Sequence, residues 1–299
     1  MVKRRTLVLG GAGAAGALVV GWSLLPPGQR LSTAQPLPVR AGQFALNGWV
    51  KIGTDESVGV VICRSEMGQG VLTGLAMLLA EELDADWSRV RIEAAPIDKI
   101  YNNIAVMVDG LPFHPDNDGS IKALASWLTA KAMREVGEMM TGGSSSIKDL
   151  WLPMREAGAS ARAMLVAAAA ELWKLPAAEC TAANGRVLHP SGRNASFGEL
   201  VTRAAAQPLP TRPVLKDATK FKLIGQAVPR IEAATKTDGS ARFGIDARPA
   251  GLLYASVHMC PTLGGTVARL DGAAAAQSAG VKHVVPFDAS RGGTGGVAV

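Results

Sequence analysis

The sequence predicts an α+β fold in which a larger domain is followed by a smaller mixed α/β domain. Two β-branched segments flank a helical leucine repeat near residue 75, and a long alanine-rich helical stretch comes after them. Beyond residue 213, short strand-like segments alternate with turns. Such an arrangement is typical of α+β proteins, and a length of 299 residues suffices for two domains.

The beginning of the chain resembles an export signal. Lys3-Arg4-Arg5 precedes the uncharged stretch Thr6–Leu25, and the first acidic residue is Asp55. A basic start followed by an apolar stretch is typical of signals, and adjacent arginines favour the twin-arginine type. We therefore expect residues 1–34 to be a twin-arginine-like signal that directs the protein to the periplasm. An uncleaved membrane anchor is the alternative, because the uncharged stretch is long enough to span a bilayer.

Three glycines inside this signal, Gly11, Gly13 and Gly16, match the G-x-G-x-x-G pattern of dinucleotide-binding turns. Such a turn needs a second strand and an acidic residue about 20 positions further on. No Asp or Glu lies in that window, and prolines at 26, 27, 36 and 38 occupy the place of the strand. The glycines therefore do not predict a dinucleotide site.

A strand, a glycine loop, a helix and a second strand are predicted next. Ser57–Cys63 and Val90–Ala95 have strand composition, and leucines recur at helical spacing from Leu72 to Leu83. The loop between the first strand and the helix contains Gly68, Gln69 and Gly70 in the sequence EMGQG. Glycines at a helix N-terminus allow backbone N–H groups to approach phosphate or a pterin. An ordinary glycine turn is the alternative, since no Lys-Ser/Thr pair follows as in a Walker loop.

A second glycine loop precedes a long helix. After an amphipathic helix predicted over Ile121–Met139, the sequence GGSSS introduces a helix over Lys148–Leu175. The hydroxyl and N–H groups of this loop are candidates for binding a second anion, and a flexible joint is the alternative. The candidate residues in it are Gly143, Ser144, Ser145 and Ser146.

The proline-rich segment Gln207–Pro213 predicts a linker at a domain boundary. After it, four strands are expected in the sequences ARFGID, LLYASVHM, TVARLD and KHVVPF, with a short helix at Ala273–Ala279. The chain stops in the apolar sequence GGTGGVAV. This ending leads us to expect that the natural polypeptide continues.

Composition excludes several functions for this chain. The net charge of +6 comes from scattered lysines and arginines, and aromatic residues make up only 5%. A nucleic-acid interface would need a basic stripe with stacking rings. Cys63, Cys180 and Cys260 lie far apart, and the four histidines are equally dispersed, so the spacing predicts neither an iron–sulfur cluster nor a zinc site on this chain.

Three long segments resemble the molybdenum hydroxylases, the family of xanthine dehydrogenase, aldehyde oxidase and the large subunits of periplasmic aldehyde and isoquinoline oxidoreductases. The segments are SEMGQGVLTGLAMLLAEELDADWSRVRIEAAP, TGGSSSIKDLWLPMREAGASARAMLVAAAAELW, and KTDGSARFGIDARPAGLLYASVHMCP with GVKHVV. The resemblance implies a molybdopterin-binding domain segment at 43–206, a linker at 207–222 and a small hammerhead domain at 223–299. The order of the segments is similar to that in the isoquinoline-oxidoreductase-like branch.

The resemblance also implies a cofactor, molybdopterin cytosine dinucleotide. Gly68, Gln69 and Gly70 would contact its pterin–molybdenum end, and Gly143 with Ser144, Ser145 and Ser146 its phosphate or pterin region. The implied reaction is hydroxylation of an aldehyde or an N-heterocycle with water. The implied partners are a small subunit with 2Fe–2S clusters and a cytochrome c subunit that accepts electrons.

The family's general base is a glutamate in a G-x-G-E sequence near the end of a much longer chain. No such sequence occurs up to Val299, so we assign no catalytic residue and no metal ligand and expect this chain alone to be inactive. Glu66 and Glu81 are not substitutes, because we expect solvated carboxylates at both positions. The alternative interpretation of the whole chain is a non-enzymatic exported α/β binding protein without a cofactor.

Overall fold

The computed structural model describes residues 29–210, 212–290 and 293–299. Most of the predicted signal, including its arginine pair and its three glycines, lies outside these residues. The chain forms two compact units, of which the first extends to Thr237 and the second is Asp238–Val299. The mixed α+β class is confirmed. The division between the units falls within the range predicted for the hammerhead domain.

The first unit is built on a four-stranded sheet, and it contains the predicted strand–loop–helix–strand segment. The order is β1-β2-β3-β4, with the first two pairs antiparallel and β3 parallel to β4. Parallel neighbours need a crossover connection, and helix α1 supplies it. The elements are β1 (Gln43–Asn47), β2 (Val50–Gly53), β3 (Val58–Ile62), α1 (Val71–Leu83) and β4 (Val90–Ala94).

Among the described residues of this unit, four further α-helices lie between β4 and residue 205. The predicted amphipathic helix and the predicted long helix are both present, with ends that lie within three residues of the expected bounds. The helices are α2 (Ile104–Asp109), α3 (Ser120–Val136), α4 (Ser146–Trp173) and α5 (Phe197–Ala204). In the described part of the chain no helix is long and apolar enough to cross a membrane.

Helices α1 and α4 pack closely against each other. A Cβ at Gly158 would overlap the carbonyl oxygen of Leu79, so only glycine permits this approach of the two backbones. A Cβ at Gly74, near the start of α1, would lie 3.4 Å from Cδ1 of Ile147, near the start of α4. From the first contact to the second, the residue number rises on both helices, from Gly74 to Leu79 on α1 and from Ile147 to Gly158 on α4. The two helices therefore run parallel, with both N-termini at one end.

The core of the first unit lies between the sheet and these helices. Trp49 and Tyr101 are fully buried and pack edge to face with ring centroids 4.9 Å apart. The Tyr101 hydroxyl donates to the carbonyl oxygen of Gly48 at 2.5 Å. Edge-to-face pairs add to the stabilisation from burial. This pair joins the β1–β2 turn to the segment that leads into α2.

A small antiparallel sheet follows α4, and the sequence did not predict it. Its strands have three residues each, which is too short for the alternating pattern that identifies a strand. They are β5 (Thr181–Ala183), β6 (Arg186–Leu188) and β7 (Asn194–Ser196). A capping box of Ser196 and Glu199 then begins α5.

Residues 214–232, here called the α1 strap, run along helix α1 from its C-terminal to its N-terminal end. Glu81 is 3% exposed, and its carboxylate accepts from Nζ of Lys216 and from the backbone N–H groups of residues 222–224. Burial would raise the pKa of Glu81, but these donors hold it below its ordinary value. The expectation of a solvated Glu81 was wrong, because the α1 strap covers that face of the helix. The first unit ends with α6 (Ala233–Thr237).

The second unit contains a three-stranded antiparallel sheet of order β8-β10-β9 and a short helix. Two predicted strands are present in shortened form, and two are absent from the described residues. ARFGID contains a 3₁₀ turn at Gly244–Asp246, where the Asp246 carboxylate accepts from the N–H of Phe243, and TVARLD forms no strand. A strand-like composition forms a strand only where a neighbour pairs with it. The elements are β8 (Val257–Met259), α7 (Ala273–Ala276), β9 (Val285–Phe287) and β10 (Gly296–Ala298).

Candidate functional site

The first glycine loop connects β3 to α1 and depends on glycine at two positions. Gly68 has φ of 104° and Gly70 has φ of 78°, both in the left-handed region that side chains disfavour. A Cβ on Gly68 would meet no atom within 4 Å, so this residue faces open space. Gly70 immediately precedes α1. The loop therefore turns sharply into the helix and leaves Gly68 exposed.

Glu66 fills the N-terminal end of α1 with its own carboxylate. The side chain is 7% exposed and accepts from the N–H groups of Gly68 at 2.8 Å, Gly70 at 3.0 Å and Leu72 at 3.3 Å. Burial would raise the pKa of Glu66, but these donors and Arg230 lower it. The expectation of a solvated Glu66 was wrong. The amides that we expected to be free for phosphate are bonded to this carboxylate.

Gln69 is exposed, and its side chain folds back on the loop. Its Oε1 accepts from the Met67 N–H at 2.6 Å, and its Nε2 donates to the Ser65 carbonyl at 3.0 Å. The amide therefore braces the turn in this conformation. Its role toward a cofactor stays a prediction.

The second loop uses its three serines differently. Gly143 and Ser144 are exposed and have φ of 60° and 52°. Ser145 is fully buried, and its hydroxyl donates to the Gly142 carbonyl at 2.6 Å and accepts from Nδ2 of Asn103 at 2.7 Å. Ser146 is the half-buried first residue of α4. The hydroxyl of Ser145 thus fixes the loop, while Gly143 and Ser144 present its surface.

The two loops are neighbours in the structure. The N–H of Ser65 donates to Oγ1 of Thr141 at 2.9 Å, which joins the residues that precede the two helices. Because α1 and α4 run parallel, both N-termini lie at this end of the helix pair. The partial positive charges of two helix dipoles therefore favour an anion here, and the Glu66 carboxylate already meets the one at α1.

A buried charge network lies beneath the second loop. Asp149, in the first turn of α4, pairs with Arg30 at 3.0 Å and with Arg64 at 2.7 Å, and its other oxygen accepts from the N–H groups of Ile104 and Ala105. The Asp149 side chain is 3% exposed. Burial lowers the pKa of Arg30, and its attraction to Asp149 opposes this effect. Two guanidinium groups against one carboxylate leave an excess of one positive charge near the start of α4.

Sequence reasoning missed this network and the role of Glu66. The sequence Ser146-x-x-Asp149 has the form of a capping box, yet no side chain caps α4 and the Asp149 carboxylate instead caps α2. For Glu66, a usable signal existed: an acidic residue lies four positions before the glycine that immediately precedes a helix. Within the described residues, no three His, Cys, Asp or Glu side chains are grouped so as to hold a metal ion.

A family model described as a molybdopterin cofactor-binding domain matches residues 14–106, which include the first loop. The beta chain of isoquinoline 1-oxidoreductase from Brevundimonas diminuta is 32% identical over 288 residues, covering 85% of this chain and 33% of that protein. The chain belongs to the molybdenum hydroxylase family. A molybdenum cofactor is the ligand that this family match supports.

Two further relatives extend the comparison. Within the molybdenum hydroxylase family, this chain is similar to the membrane-bound aldehyde dehydrogenase (pyrroloquinoline-quinone) of Gluconacetobacter polyoxogenes, with 32% identity over 235 residues, 76% of this chain and 26% of the relative. A nicotinate dehydrogenase subunit from Pseudomonas putida is 24% identical over 250 residues, 83% of this chain and 18% of the relative. The chain thus spans a third or less of the length of these relatives.

Proposed function

We propose that this chain supplies part of a molybdopterin cytosine dinucleotide site in an oxidoreductase. The enzyme would hydroxylate an aldehyde or an N-heterocycle with water and pass the electrons to an iron–sulfur partner. One observation carries the proposal: two parallel helices bring both glycine loops to the same end of the helix pair, where the Ser65 N–H donates a hydrogen bond to Thr141. The family match, which includes the first of these loops, supports the same location.

The exposed groups of the two loops fit a large polar cofactor. Gly68 and Gln69 offer a turn of backbone and a side-chain amide for the pterin–molybdenum end, with Gly70 shaping the turn behind them. We assign the phosphate groups to the second loop, because Glu66 already occupies the amides of the first. There Gly143 and Ser144 would contact the cofactor, while Ser145 and Ser146 hold the loop.

When bound, the cofactor supplies the metal centre that activates water for attack on the substrate carbon. The residues of this chain bind and orient it. The buried guanidinium groups of Arg30 and Arg64 add positive charge beneath the second loop. Low dielectric in the interior strengthens their attraction for a nearby phosphate.

The remaining assignments follow the same family. We propose that residues 43–206 are the first part of the molybdopterin-binding domain, 207–222 a connecting segment and 223–299 a hammerhead domain. The names of two relatives describe them as subunits, which supports a separate 2Fe–2S subunit and a cytochrome c partner.

Residues 1–34 would export the folded protein to the periplasm or anchor it in the membrane. Mapping the amino terminus of the exported protein tests this last point, and a terminus retained on a cytoplasmic product would contradict it.

Metal and nucleotide analysis of the complete natural polypeptide, co-expressed with a small iron–sulfur subunit, tests the main proposal. We expect about one molybdenum and one cytidine monophosphate per chain after acid release. A folded product without either, or one that releases pyrroloquinoline quinone instead, would contradict the proposal. The first of these results would favour the alternative of an exported binding protein without a cofactor.

A matched pair of glycine substitutions locates the site on the loop. Gly68 and Gly192 both have positive φ, and neither would place a Cβ within 4 Å of another atom. Gly68→Phe should therefore cost the same backbone strain as Gly192→Phe, which lies on the β6–β7 turn. We expect Gly68→Phe to abolish molybdenum binding and Gly192→Phe to retain it.

A further inference from the structure

The α1 strap contacts the first loop through Arg230. Its Nη2 lies 3.0 Å from Oε1 of Glu66, although the two residues are 164 positions apart. The same oxygen accepts from the N–H groups of Gly68 and Gly70. Arg230 therefore forms an ion pair with the carboxylate around which the loop is folded.

The neighbouring residues of the strap are fixed to α1 independently of this ion pair. The N–H of Ile231 donates to Oγ1 of Thr73 at 2.9 Å, and Thr73 is 5% exposed. Glu232 lies 3.0 Å from Nε of Arg230 and accepts from the Thr73 hydroxyl. The backbone bond of Ile231 fixes the strap at this point, and Glu232 holds the guanidinium of Arg230 next to Glu66.

Arg230 also closes the inner side of the loop. A Cβ on Gly70 would lie 3.6 Å from Nε of Arg230, so the guanidinium faces the backbone just before α1. On the other side, Met67, Gly68 and Gln69 are exposed. The inner side of the loop is thus held by the Glu66–Arg230 ion pair, and its outer side is accessible to a ligand.

We propose that Arg230 is a positioning residue for the cofactor loop and acts on it through Glu66. The inference rests on the proposed function in that the exposed side of this loop is taken as the cofactor-binding side. It makes the α1 strap a structural part of the cofactor site. Without Arg230, Glu66 would lose its cation near the start of α1, whereas Glu232 would keep Lys236 at 3.7 Å.

Hydrogen exchange on the full chain without cofactor tests the first step, with the amides of Gly68, Gly70 and Leu72 as probes. Glu66→Gln should raise their exchange rates about tenfold or more, since it weakens three bonds to a charged acceptor. Arg230→Gln should raise them about twofold to fivefold, as expected for a partly exposed ion pair. Arg230→Lys should restore part of the protection, and Arg230→Gln should have no further effect in the Glu66→Gln background.

Lys222→Gln is the matched control. It removes a cation from the same strap, 3.8 Å from Asp84 at the opposite end of α1. We expect this variant to leave exchange in the first loop unchanged. If Arg230→Gln also leaves it unchanged, or if its effect persists in the Glu66→Gln background, the proposal is overturned.

Cofactor content of the co-expressed protein tests the second step. Arg230→Gln should lower the molybdenum retained after dialysis, with Arg230→Lys intermediate and Lys222→Gln like the wild type. Unchanged retention in Arg230→Gln would overturn the positioning role. If the wild type itself carries no molybdenum, the proposed function fails, while the exchange rates still decide whether Arg230 fixes the loop through Glu66.

Discussion

The first glycine loop is folded around a carboxylate of its own, whereas the second is held by neutral hydrogen bonds above a buried cationic network. Glu66 accepts three N–H groups in the first loop, and Ser145 with Asn103 fixes the second. The two loops begin parallel helices and have similar glycine content. The sign of the charge beneath each one differs, and this difference favours an anionic ligand at the second loop.

The largest expected effect comes from removing the carboxylate beneath the second loop. Asp149→Asn leaves Arg30 and Arg64 buried without a counter-charge, and we expect it to lower the free energy of unfolding by about 3–5 kcal/mol. The five tryptophans in the described residues all precede residue 174, so their fluorescence during urea unfolding reports the first unit. Asp109→Asn, which breaks an exposed pair with Lys148, should cost less than about 1 kcal/mol. Equal losses for both variants would contradict the distinction.

Glu66→Gln tests the corresponding carboxylate of the first loop and should cost about 2 kcal/mol at pH 7, because three charged hydrogen bonds become weaker. The pKa of Glu66 is lowered in the folded state. Its contribution is therefore complete above the unfolded pKa, about 4.3, and is lost as pH falls through the folded pKa. The difference in stability between wild type and variant should be constant from pH 7 to pH 5 and shrink in stronger acid. A difference that grows in acid would show the opposite sign of shift.

The smallest expected effect separates two adjacent serines of the second loop. Ser145→Ala removes a buried hydroxyl that bonds to Gly142 and Asn103, and should cost about 1 kcal/mol of unfolding free energy. Ser144 is exposed, so Ser144→Ala should change stability by less than about 0.5 kcal/mol. In the co-expressed protein, we expect Ser144→Ala to lower molybdenum retention. Reversed effects on stability would show that the two serines have been assigned the wrong roles.

Local sequence patterns predicted the elements that bring the loops together. The leucine period from Leu72 to Leu83 and the β-branched segments around it predicted β3, α1 and β4, because burial of one face selects each period. The loop residues themselves were found from glycines at helix starts. The β1–β2 hairpin and the three-residue strands β5, β6 and β7 were missed, since short strands depend on their neighbours more than on their own composition.

The charges were harder to predict than the backbone. Glu81 lies on a helix face that the leucine pattern predicts to be solvated, but Lys216 and residues 222–224 bury it. Asp149 satisfies a local capping pattern and yet bonds to Arg30, 119 positions away. Both outcomes depend on contacts between distant parts of the chain, which local periodicity does not contain.

The close approach at Gly158 fixes the distance between helices α1 and α4. The backbone of α4 contacts that of α1 at Leu79, and the two glycine loops lie at the N-terminal ends of the same two helices. A methyl group at residue 158 would push the two helix backbones apart at this point. We therefore expect Gly158→Ala to change the spacing of the two loops, and with it the fit of any ligand that contacts both, although residue 158 lies in neither loop.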